Sequence, residues 1–315
     1  MDDHSPFPAT LRSSGDLAAD RRYAWAMAAL KDGAAAEAID LFEQAAEIVP
    51  GWAPIWLGLG DAREASGDRA GAVEAFRRCL VLDAADRLGV GPRLARLGQG
   101  SPGQAMTDAY VASLFDDYAP RFERHLTRHL DYRGPSLIVD ALDAVGAPGS
   151  GLRVLDLGCG TGLMGEAIRA RASWLGGCDL SPVMVAAADR RGIYDRVEAA
   201  SLFDVLGREP AASLDLVTAA DVLVYVGDPD GLFAKVAAAL KQGGHFAFTS
   251  QTFAPGEEPE DGIGVGADLR FRHGENRLRA LGAAHGLPVI RCVRTWERRE
   301  RGEPLPSLVV VCRRS

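Results

Sequence analysis

The chain has 315 residues, of which 47% are hydrophobic, and this is enough for two domains with ordinary cores. Its formal net charge of −8 excludes a general attraction to nucleic acid. No apolar run reaches the length of a membrane span, and the N-terminus lacks the pattern of a signal peptide. The five cysteines form no C-x-x-C pair and no metal-ligand pattern. We therefore expect a cytoplasmic protein with reduced thiols, no resident metal, no nucleic-acid partner and no membrane partner.

The first part of the chain contains an internal repeat. Residues 1–17 are expected to be extended or disordered, and residues 18–97 then repeat with a period of 34, as in the pair Phe42 and Phe76. This period, with small residues flanking an aromatic residue in the second helix of each unit, resembles the tetratricopeptide repeat (TPR). The resemblance implies an all-α domain of paired helices.

The role of these repeats stays open at this point. Each helix pair of such a repeat leaves one apolar face bare, and about three stacked units are normally needed for stability. Two units are visible, so the segment from Gly91 to Leu97 is expected to add a capping helix. A generic bundle of helical hairpins is the alternative. The repeat surface would serve a protein partner, self-association or the roof of an active site.

A linker and a lid segment are predicted next. Residues 98–108 are rich in Gly, Ser and Pro, which is typical of a linker. Residues 109–130 contain Phe-Asp-x-Tyr-Ala-x-x-Phe, which resembles the N-terminal lid helices of small-molecule methyltransferases. The resemblance implies that Tyr118 lies over the methionine end of S-adenosylmethionine (SAM) and that Arg121 lies near its carboxylate. An amphipathic helix with a solvated Arg121 is the alternative.

The glycine-rich stretch from Val154 to Gly162, VLDLGCGTG, predicts a buried strand, a sharp turn and a helix that begins near Leu163. The dinucleotide-binding pattern G-x-G-x-x-G/A would place its third small residue at position 163, whereas here the extra glycine comes one residue earlier. No basic residue follows as in a phosphate-binding P-loop. The stretch resembles motif I of the class I SAM-dependent methyltransferases. A glycine-rich turn that binds no ligand is the alternative.

Cofactor contacts are predicted at the ends of several strands. Asp179, nineteen positions after Gly160, ends the second strand, where an acid can accept both ribose hydroxyls of an adenosine. The run Asp-Leu-Ser-Pro-x-Met that begins there resembles the second methyltransferase motif, with Ser181 as a helix cap. The predicted cofactor contacts are Tyr118, Arg121, Asp156, Gly158, Cys159, Gly160, Gly162, Asp179, Leu180, Met184, Ser201, Leu202, Asp221 and Val222.

The third and fourth strands carry the next two motifs. Residues 196–200 predict a strand, after which the family places an acid beside the adenine. This chain has Ser201 and Leu202 there, so that acidic contact is missing or is supplied by Asp204. The fourth strand, 214–223, ends in a segment that looks like motif IV, which lines the methyl-transfer face.

The remaining elements complete a Rossmann-like sheet. A helix over 232–240, a Lys-x-Gly-Gly turn and a strand over 245–250 follow. Residues 254–266, rich in Gly, Pro and acids, predict either a loop over an active site or a disordered tip. Two terminal antiparallel strands, 288–296 and 308–312, complete the seven-stranded α/β sheet that the class I methyltransferase resemblance implies.

The whole pattern resembles the bacterial TPR-containing predicted methyltransferases over nearly all of the chain beyond about residue 18. The resemblance implies that a domain at 109–315 transfers the methyl group of SAM to an oxygen or nitrogen nucleophile, with a small molecule as the expected acceptor. The alternatives are a protein acceptor recruited by the repeats, a SAM-binding interaction protein without catalysis, and a dehydrogenase on a similar sheet. The alternating Arg and Glu residues of 291–303 predict a solvated hairpin tip.

A proton acceptor is the last requirement. The positive charge on sulfur disappears as the methyl group moves, so alignment and water exclusion can supply much of the rate. A hydroxyl or ammonium nucleophile must also lose a proton. His273, after the Gly-rich insert, is the first candidate, followed by Tyr225 and by His125 or His129 on the lid, although a lone histidine is more often structural. Arg270 nearby either binds an acidic substrate or faces water.

Overall fold

The structure is a computed structural model that describes residues 13–100, 105–116, 130–300 and 302–315. The chain divides into two compact units, residues 1–117 and residues 118–315. None of the helices formed by the described residues combines the length and the apolarity that a membrane crossing requires.

The first unit is helical. Its helices are α1 (Leu17–Lys31), α2 (Ala35–Ile48), α3 (Ala53–Ala65), α4 (Arg69–Leu82) and α5 (Val90–Arg96). Phe42 on α2 and Phe76 on α4, which are 34 residues apart, are both fully buried. Each ring lies against a glycine of α3, Gly58 or Gly60, at a distance that leaves no room for a Cβ atom. The period of the sequence thus produces equivalent packing positions, while membership of the TPR family stays a prediction.

Residues 105–116 pack within the first unit. Thr107 Oγ1 donates a hydrogen bond of 3.1 Å to the carbonyl of Ala85, and the ring of Tyr110 lies against Gly89, where it leaves no room for a Cβ atom. A cavity of about 160 Å³ lies between this segment and side chains of α1, α3 and α5. The predicted linker at 98–108 and domain start at 109 therefore differ from the structure, in which the division follows residue 117.

The second unit contains a seven-stranded sheet and a separate two-stranded one. Its strands are β1 (Leu152–Leu157), β2 (Ala172–Asp179), β3 (Arg196–Ala199), β4 (Leu214–Ala219), β5 (Leu240–Gln251), β6 (Ile263–Val265), β7 (Phe271–His273), β8 (Val289–Glu300) and β9 (Glu303–Arg313). The large sheet has the order β3-β2-β1-β4-β5-β9-β8, with β9 antiparallel to both of its neighbours. The predicted α/β class and the predicted seven-stranded sheet are confirmed.

Helices cover both faces of this sheet. They are α6 (Gly134–Ala144), α7 (Leu163–Ile168), α8 (Pro182–Asp189), α9 (Leu202–Arg208), α10 (Asp230–Ala239) and α11 (Glu275–Ala284). Successive strand residues point to opposite faces, so Val154 packs in a core with α6 and α7, whereas Leu155 packs in a second core with α9, α10 and α11. The order reverses between β1 and β4, and their carboxyl ends lie side by side at one edge.

Several boundaries differ from the sequence-based expectation. The fourth strand ends at Ala219, and residues 223–225 form a short 3-10 helix. The Lys-x-Gly-Gly segment is a bulge inside β5, where the pairing with β4 shifts in register. The predicted loop 254–266 includes β6, which pairs with β7 through Ile263 and His273.

Candidate active site

The glycine loop after β1 consists of residues with a left-handed backbone. Gly158, Gly160 and Gly162 have φ angles of 59°, 53° and 95°, a region that glycine enters without steric cost. Gly162 is the N-cap of α7. A Cβ on Gly158 would lie 2.6 Å from Cγ2 of Val222, so the loop packs directly on the residues that follow β4. The loop thereby joins the ends of β1 and β4 at the carboxyl edge of the sheet.

Asp179 ends β2 beside this loop. Its carboxylate accepts hydrogen bonds from the amides of Gly160, at 3.0 Å, and Ser181, at 2.9 Å. Ser181 Oγ accepts in turn from the amide of Met184 and caps α8, as predicted. The Asp179 side chain stays partly exposed. An oriented carboxylate at this point suits a sugar with neighbouring hydroxyls, because its two oxygens are both hydrogen-bond acceptors.

Asp156, near the end of β1, is 1% exposed. Its carboxylate accepts hydrogen bonds from Thr218 Oγ1 at 2.9 Å and from the phenol of Tyr194 at 2.7 Å. Burial raises the pKa of Asp156 to about 7, while the two donors oppose that rise. Asp156 therefore lies directly behind the glycine loop and is held by partners from β4 and from the segment after α8.

The other predicted cofactor residues fall into two groups. Cys159 and Met184 are 5% and 0% exposed, and burial raises the pKa of the Cys159 thiol well above its ordinary value. Cys159 is thus a packing residue, and Met184 presents no surface to a ligand, which differs from its predicted role. Leu180, Ser201 and Leu202 are partly exposed. The Ser201 hydroxyl caps α9, so it serves the helix at the position where the family has an acid.

Asp221 follows β4 with a left-handed backbone, φ 57°, which Asp tolerates better than most residues. Its amide donates a hydrogen bond of 2.8 Å to Thr249 Oγ1 on β5. Arg298 Nη1 donates to Asp221 Oδ2, and Arg270 Nη1 lies 3.8 Å from the same oxygen. Burial raises the pKa of Asp221, and the positive charge of Arg270 opposes that rise. The other carboxylate oxygen, Oδ1, is buried and accepts no hydrogen bond from an N–H or hydroxyl group of the described residues, while the carboxyl group of Glu297 lies within hydrogen-bond reach of Asp221.

Glu297 lies beside Asp221 and is 0% exposed. A bulge in β8 between Trp296 and Arg299 brings both Glu297 and Arg298 into the interior. The carboxyl group of Glu297 lies within hydrogen-bond reach of Asp221 and of Thr249. Burial and the negative charge of Asp221 raise the pKa of Glu297 well above its ordinary value. The predicted solvated hairpin tip is wrong for these two residues, because the bulge interrupts the alternation of inward and outward side chains.

Two tyrosines border this carboxyl pair. The guanidinium of Arg270 lies over the ring of Tyr225, 5.5 Å from its centroid. Burial, followed by the negative charges of Asp221 and Glu297, raises the pKa of Tyr132, which precedes α6. Arg270 therefore does not simply face water. Of the two predicted catalytic residues that the structure describes, Tyr225 lies at this cluster.

His273, the first candidate for the proton acceptor, is instead part of the core. It is 0% exposed, and its Nδ1 and Nε2 lie 2.9 Å from Ser250 Oγ and 3.1 Å from the Gly227 carbonyl. A carbonyl can only accept, so Nε2 carries the proton and Nδ1 accepts from the serine hydroxyl. Burial lowers the pKa of His273 to about 4. With both nitrogens occupied and no exposed surface, this imidazole is not placed to take a proton from a substrate.

Four other candidates lie outside the described residues, and their roles stay predictions: Tyr118, Arg121, His125 and His129. Conversely, the structure adds Tyr194, Glu297, Arg298 and Thr249 to the site, none of which lies in a recognisable motif. Tyr194 and Glu297 join the site through contacts with residues far away in the chain, which no local pattern encodes.

Comparison with known proteins gives matches to the second unit. Residues 155–246 match the family model of a methyltransferase domain. A ubiquinone biosynthesis O-methyltransferase of Ralstonia nicotianae is 33% identical over 111 residues, 33% of this chain and 45% of the relative. Another, from Xylella fastidiosa, is 31% identical over 142 residues, 43% of this chain and 53% of the relative. The chain thus spans about half the length of the curated relatives that it matches.

Solved structures also align with this chain. The [4+2]-cyclase SpnF aligns with a TM-score of 0.53 and 18% identity over 68% of this chain and 97% of its own. The 1,6-didemethyltoxoflavin-N1-methyltransferase of Burkholderia thailandensis, solved with S-adenosylhomocysteine, aligns with a TM-score of 0.49 and 19% identity over 65% and 89%. A fold shared with a cyclase does not by itself fix a reaction, so the function must be argued from the site.

Proposed function

We propose that this chain, whose second unit has the class I SAM-dependent methyltransferase fold, transfers the methyl group of SAM to an oxygen or nitrogen nucleophile of a small molecule. The observation that carries the proposal is the glycine loop with Asp179 fixed beside it, at the point where the strand order reverses. Ligands of open α/β sheets bind at that point, outside the carboxyl ends of the strands. The family-model match covers the same segment.

The residues of the loop suit SAM. Asp179 offers a partly exposed carboxylate to the ribose hydroxyls. The Thr161 hydroxyl, in a residue that is 5% exposed, has no hydrogen-bond partner among the described residues and is available to the amino-acid end of a ligand. Asp156 adds a buried carboxyl group behind the loop. Bound SAM supplies an electrophilic methyl group on a sulfonium centre.

An oxygen nucleophile on a small molecule has the best support. The curated relatives carry the name O-methyltransferase. Charged side chains beyond the loop are buried, with Glu297 and Arg298 almost without exposed surface. Enclosed pockets with a few placed polar groups are typical of small-ligand sites.

The alternative of a protein acceptor recruited by the helical unit has less support. The side chains of α1, α3 and α5 that would form a binding groove already face the chain's own residues 105–116 across a cavity of about 160 Å³. That cavity is too small for a peptide segment. The self-association of the predicted repeats stays a proposal without a supporting contact.

The proposal is tested by binding and transfer measured on the same preparation. Calorimetry with SAM and with NADH separates a methyltransferase from a dehydrogenase, and methyl-labelled SAM with host extract reports transfer to the small-molecule or the protein fraction. We expect SAM binding without NADH binding, and label in the small-molecule fraction. Label in protein would support recruitment instead. Normal SAM binding without any transfer would favour a non-catalytic SAM-binding protein.

Asp179→Asn tests the cofactor site. Replacing a carboxylate that accepts ribose hydroxyls removes charge-assisted hydrogen bonds, each worth about 1.5–3 kcal/mol, so SAM affinity should fall at least tenfold. Asp140→Asn, an exposed carboxyl group on α6, is the control and should bind SAM like the wild type. Equal affinity in both variants would rule out the ribose contact.

A further inference from the structure

The carboxyl pair Asp221 and Glu297 lies on the acceptor side of the site. The glycine loop and Asp179 occupy the β1–β2 side of the strand-order reversal. Asp221 follows β4, and Glu297 reaches the same edge from β8, where Trp296 pairs with Pro306 next to the end of β5. With the methyl donor bound on one side of the reversal, the nucleophile must approach from the β4–β5 side.

Asp221 combines a fixed orientation with a partly exposed side chain. Arg298 holds Oδ2, and the Asp221 amide is held by Thr249. The Arg298 side chain is itself 4% exposed, whereas that of Asp221 is 14% exposed. The carboxyl group of Glu297 lies within hydrogen-bond reach of Asp221. Arg298 and Glu297 therefore hold the carboxylate in place from the interior, while part of the Asp221 side chain stays accessible.

Glu297 supplies the second half of the pair. It is fully buried, and its carboxyl group lies within hydrogen-bond reach of Asp221 and of Thr249. Two adjacent buried carboxyl groups cannot both ionise at low cost, so they titrate as a unit that keeps one proton. Arg298 and Arg270 both lie against Asp221, so the negative charge resides on Asp221 and the proton on Glu297.

Other charged and titratable groups face the pair from the surrounding elements. They are Tyr132 before α6, Tyr225 after β4, Asp156 on β1, Asp268 and Arg270 before β7, and Arg298 on β8. The Thr252 hydroxyl, just after β5 and 1% exposed, also has no hydrogen-bond partner among the described residues. This unpartnered hydroxyl indicates a place for a polar ligand group beside the pair.

We propose that Asp221 takes the proton from the methyl-accepting hydroxyl or amine, and that Glu297 acts as a positioning residue that shares a proton with it. This inference rests on the proposed methyl transfer. A lone pair of the nucleophile forms the new bond to the methyl carbon, while the methyl–sulfur bond breaks and its electron pair stays on sulfur. The nucleophile's proton passes to Asp221, and solvent removes it after the products leave.

The first test is the proton itself. The infrared carbonyl stretch of protonated carboxyl groups should lose one component at neutral pH when Glu297→Gln is compared with the wild type. Asp156, whose pKa is about 7, contributes its own component to both proteins, so the difference between the two spectra is what is measured. Gln has the shape of a protonated Glu, so this variant should fold. An unchanged carbonyl intensity in Glu297→Gln would overturn the assignment of the proton.

The second test is methyl transfer from labelled SAM, at saturating SAM, to the small-molecule fraction of host extract. Asp221→Asn should lower the turnover rate about 10²–10⁴-fold, which is the usual worth of a general base. Glu297→Gln should lower it far less, but should remove one of the two ionisations in the pH profile that the pair gives the wild type. Asp140→Asn is the control with a carboxyl group removed elsewhere.

The outcomes separate the two proposals. If the wild-type protein binds SAM but transfers no label, the proposed function is wrong, and the assignment of Asp221 as the proton acceptor is wrong with it. Wild-type transfer with an equally active Asp221→Asn overturns the proton acceptor alone. An unchanged pH profile in Glu297→Gln overturns the role of Glu297.

Discussion

The phenol of Tyr194 donates a 2.7 Å hydrogen bond to the carboxylate of Asp156, although 38 residues separate the two in sequence. The bond ties the segment after α8 to the end of β1, behind the glycine loop. The same ring fills the space next to Gly177 on β2, where a Cβ would lie 2.7 Å from it. One tyrosine thus fixes two neighbouring strands and one buried carboxyl group.

Tyr194→Phe keeps the ring and removes the donor. Since Asp156 is 1% exposed, we expect the free energy of unfolding to fall by about 1–3 kcal/mol, the cost of leaving a buried acceptor with one partner fewer. Urea denaturation measures the loss. Thr218→Ser, which keeps the other donor to Asp156, should be less destabilised, and equal stability of Tyr194→Phe and the wild type would contradict the role of this bond.

The packing of Val222 on Gly158 allows a second prediction. In Gly158→Ala, the new Cβ would lie 2.6 Å from Val222, and the φ of 59° at this position would be strained for alanine. In Gly192→Ala, the φ of 64° would be strained in the same way, but no atom lies within 4 Å of the new Cβ. We therefore expect Gly158→Ala to lower Tm more than Gly192→Ala does, and to weaken SAM binding. Val222→Ala in the Gly158→Ala background should recover the steric part of the loss. Equal Tm values for the two glycine variants would mean that the loop simply moves aside.

The pKa of Asp156 predicts a pH dependence of stability. Because its pKa is raised from 3.8 to about 7 on folding, the folded state binds the proton more tightly than the unfolded state. Its contribution to stability is therefore complete below about pH 3.8 and is lost as the pH rises towards about 7. Asp156→Asn cannot ionise, so the unfolding free energy of the wild type relative to this variant should fall by up to about 4 kcal/mol across that range. Denaturant curves at several pH values measure the difference, and a constant difference would contradict the shift.

His273 provides a fourth prediction, of a structural role. His273→Gln should lower the free energy of unfolding by about 1–3 kcal/mol, because the bonds to Ser250 and Gly227 are buried. The pH profile of methyl transfer should stay unchanged in the folded variant. His285→Gln, which alters an imidazole paired with Asp230, serves as the control. If the pH profile of methyl transfer shifts in His273→Gln but not in His285→Gln, His273 takes part in the reaction after all.

Local patterns in the sequence determined the second unit and the cofactor side of its site. Apolar strands separated by amphipathic helices predict the α/β sheet, since period and turn chemistry act within a few residues. The glycines at 158–162 are required by their own backbone angles, and Asp179 follows from its spacing to them. These features depend on residues close together in the chain, so they can be predicted without the tertiary structure.

The acceptor side was decided by the tertiary structure. A bulge in β8 brought Glu297 and Arg298 inside, although the alternation of charges around them predicts a solvated tip. Pairing of β6 with β7 carried His273 into the core, although its Gly-rich surroundings predict an exposed loop. The Arg298–Asp221 contact joins residues 77 positions apart. Burial and charge pairing between residues so far apart in the chain depend on which strands become neighbours in the sheet. A local sequence pattern does not determine which strands become neighbours.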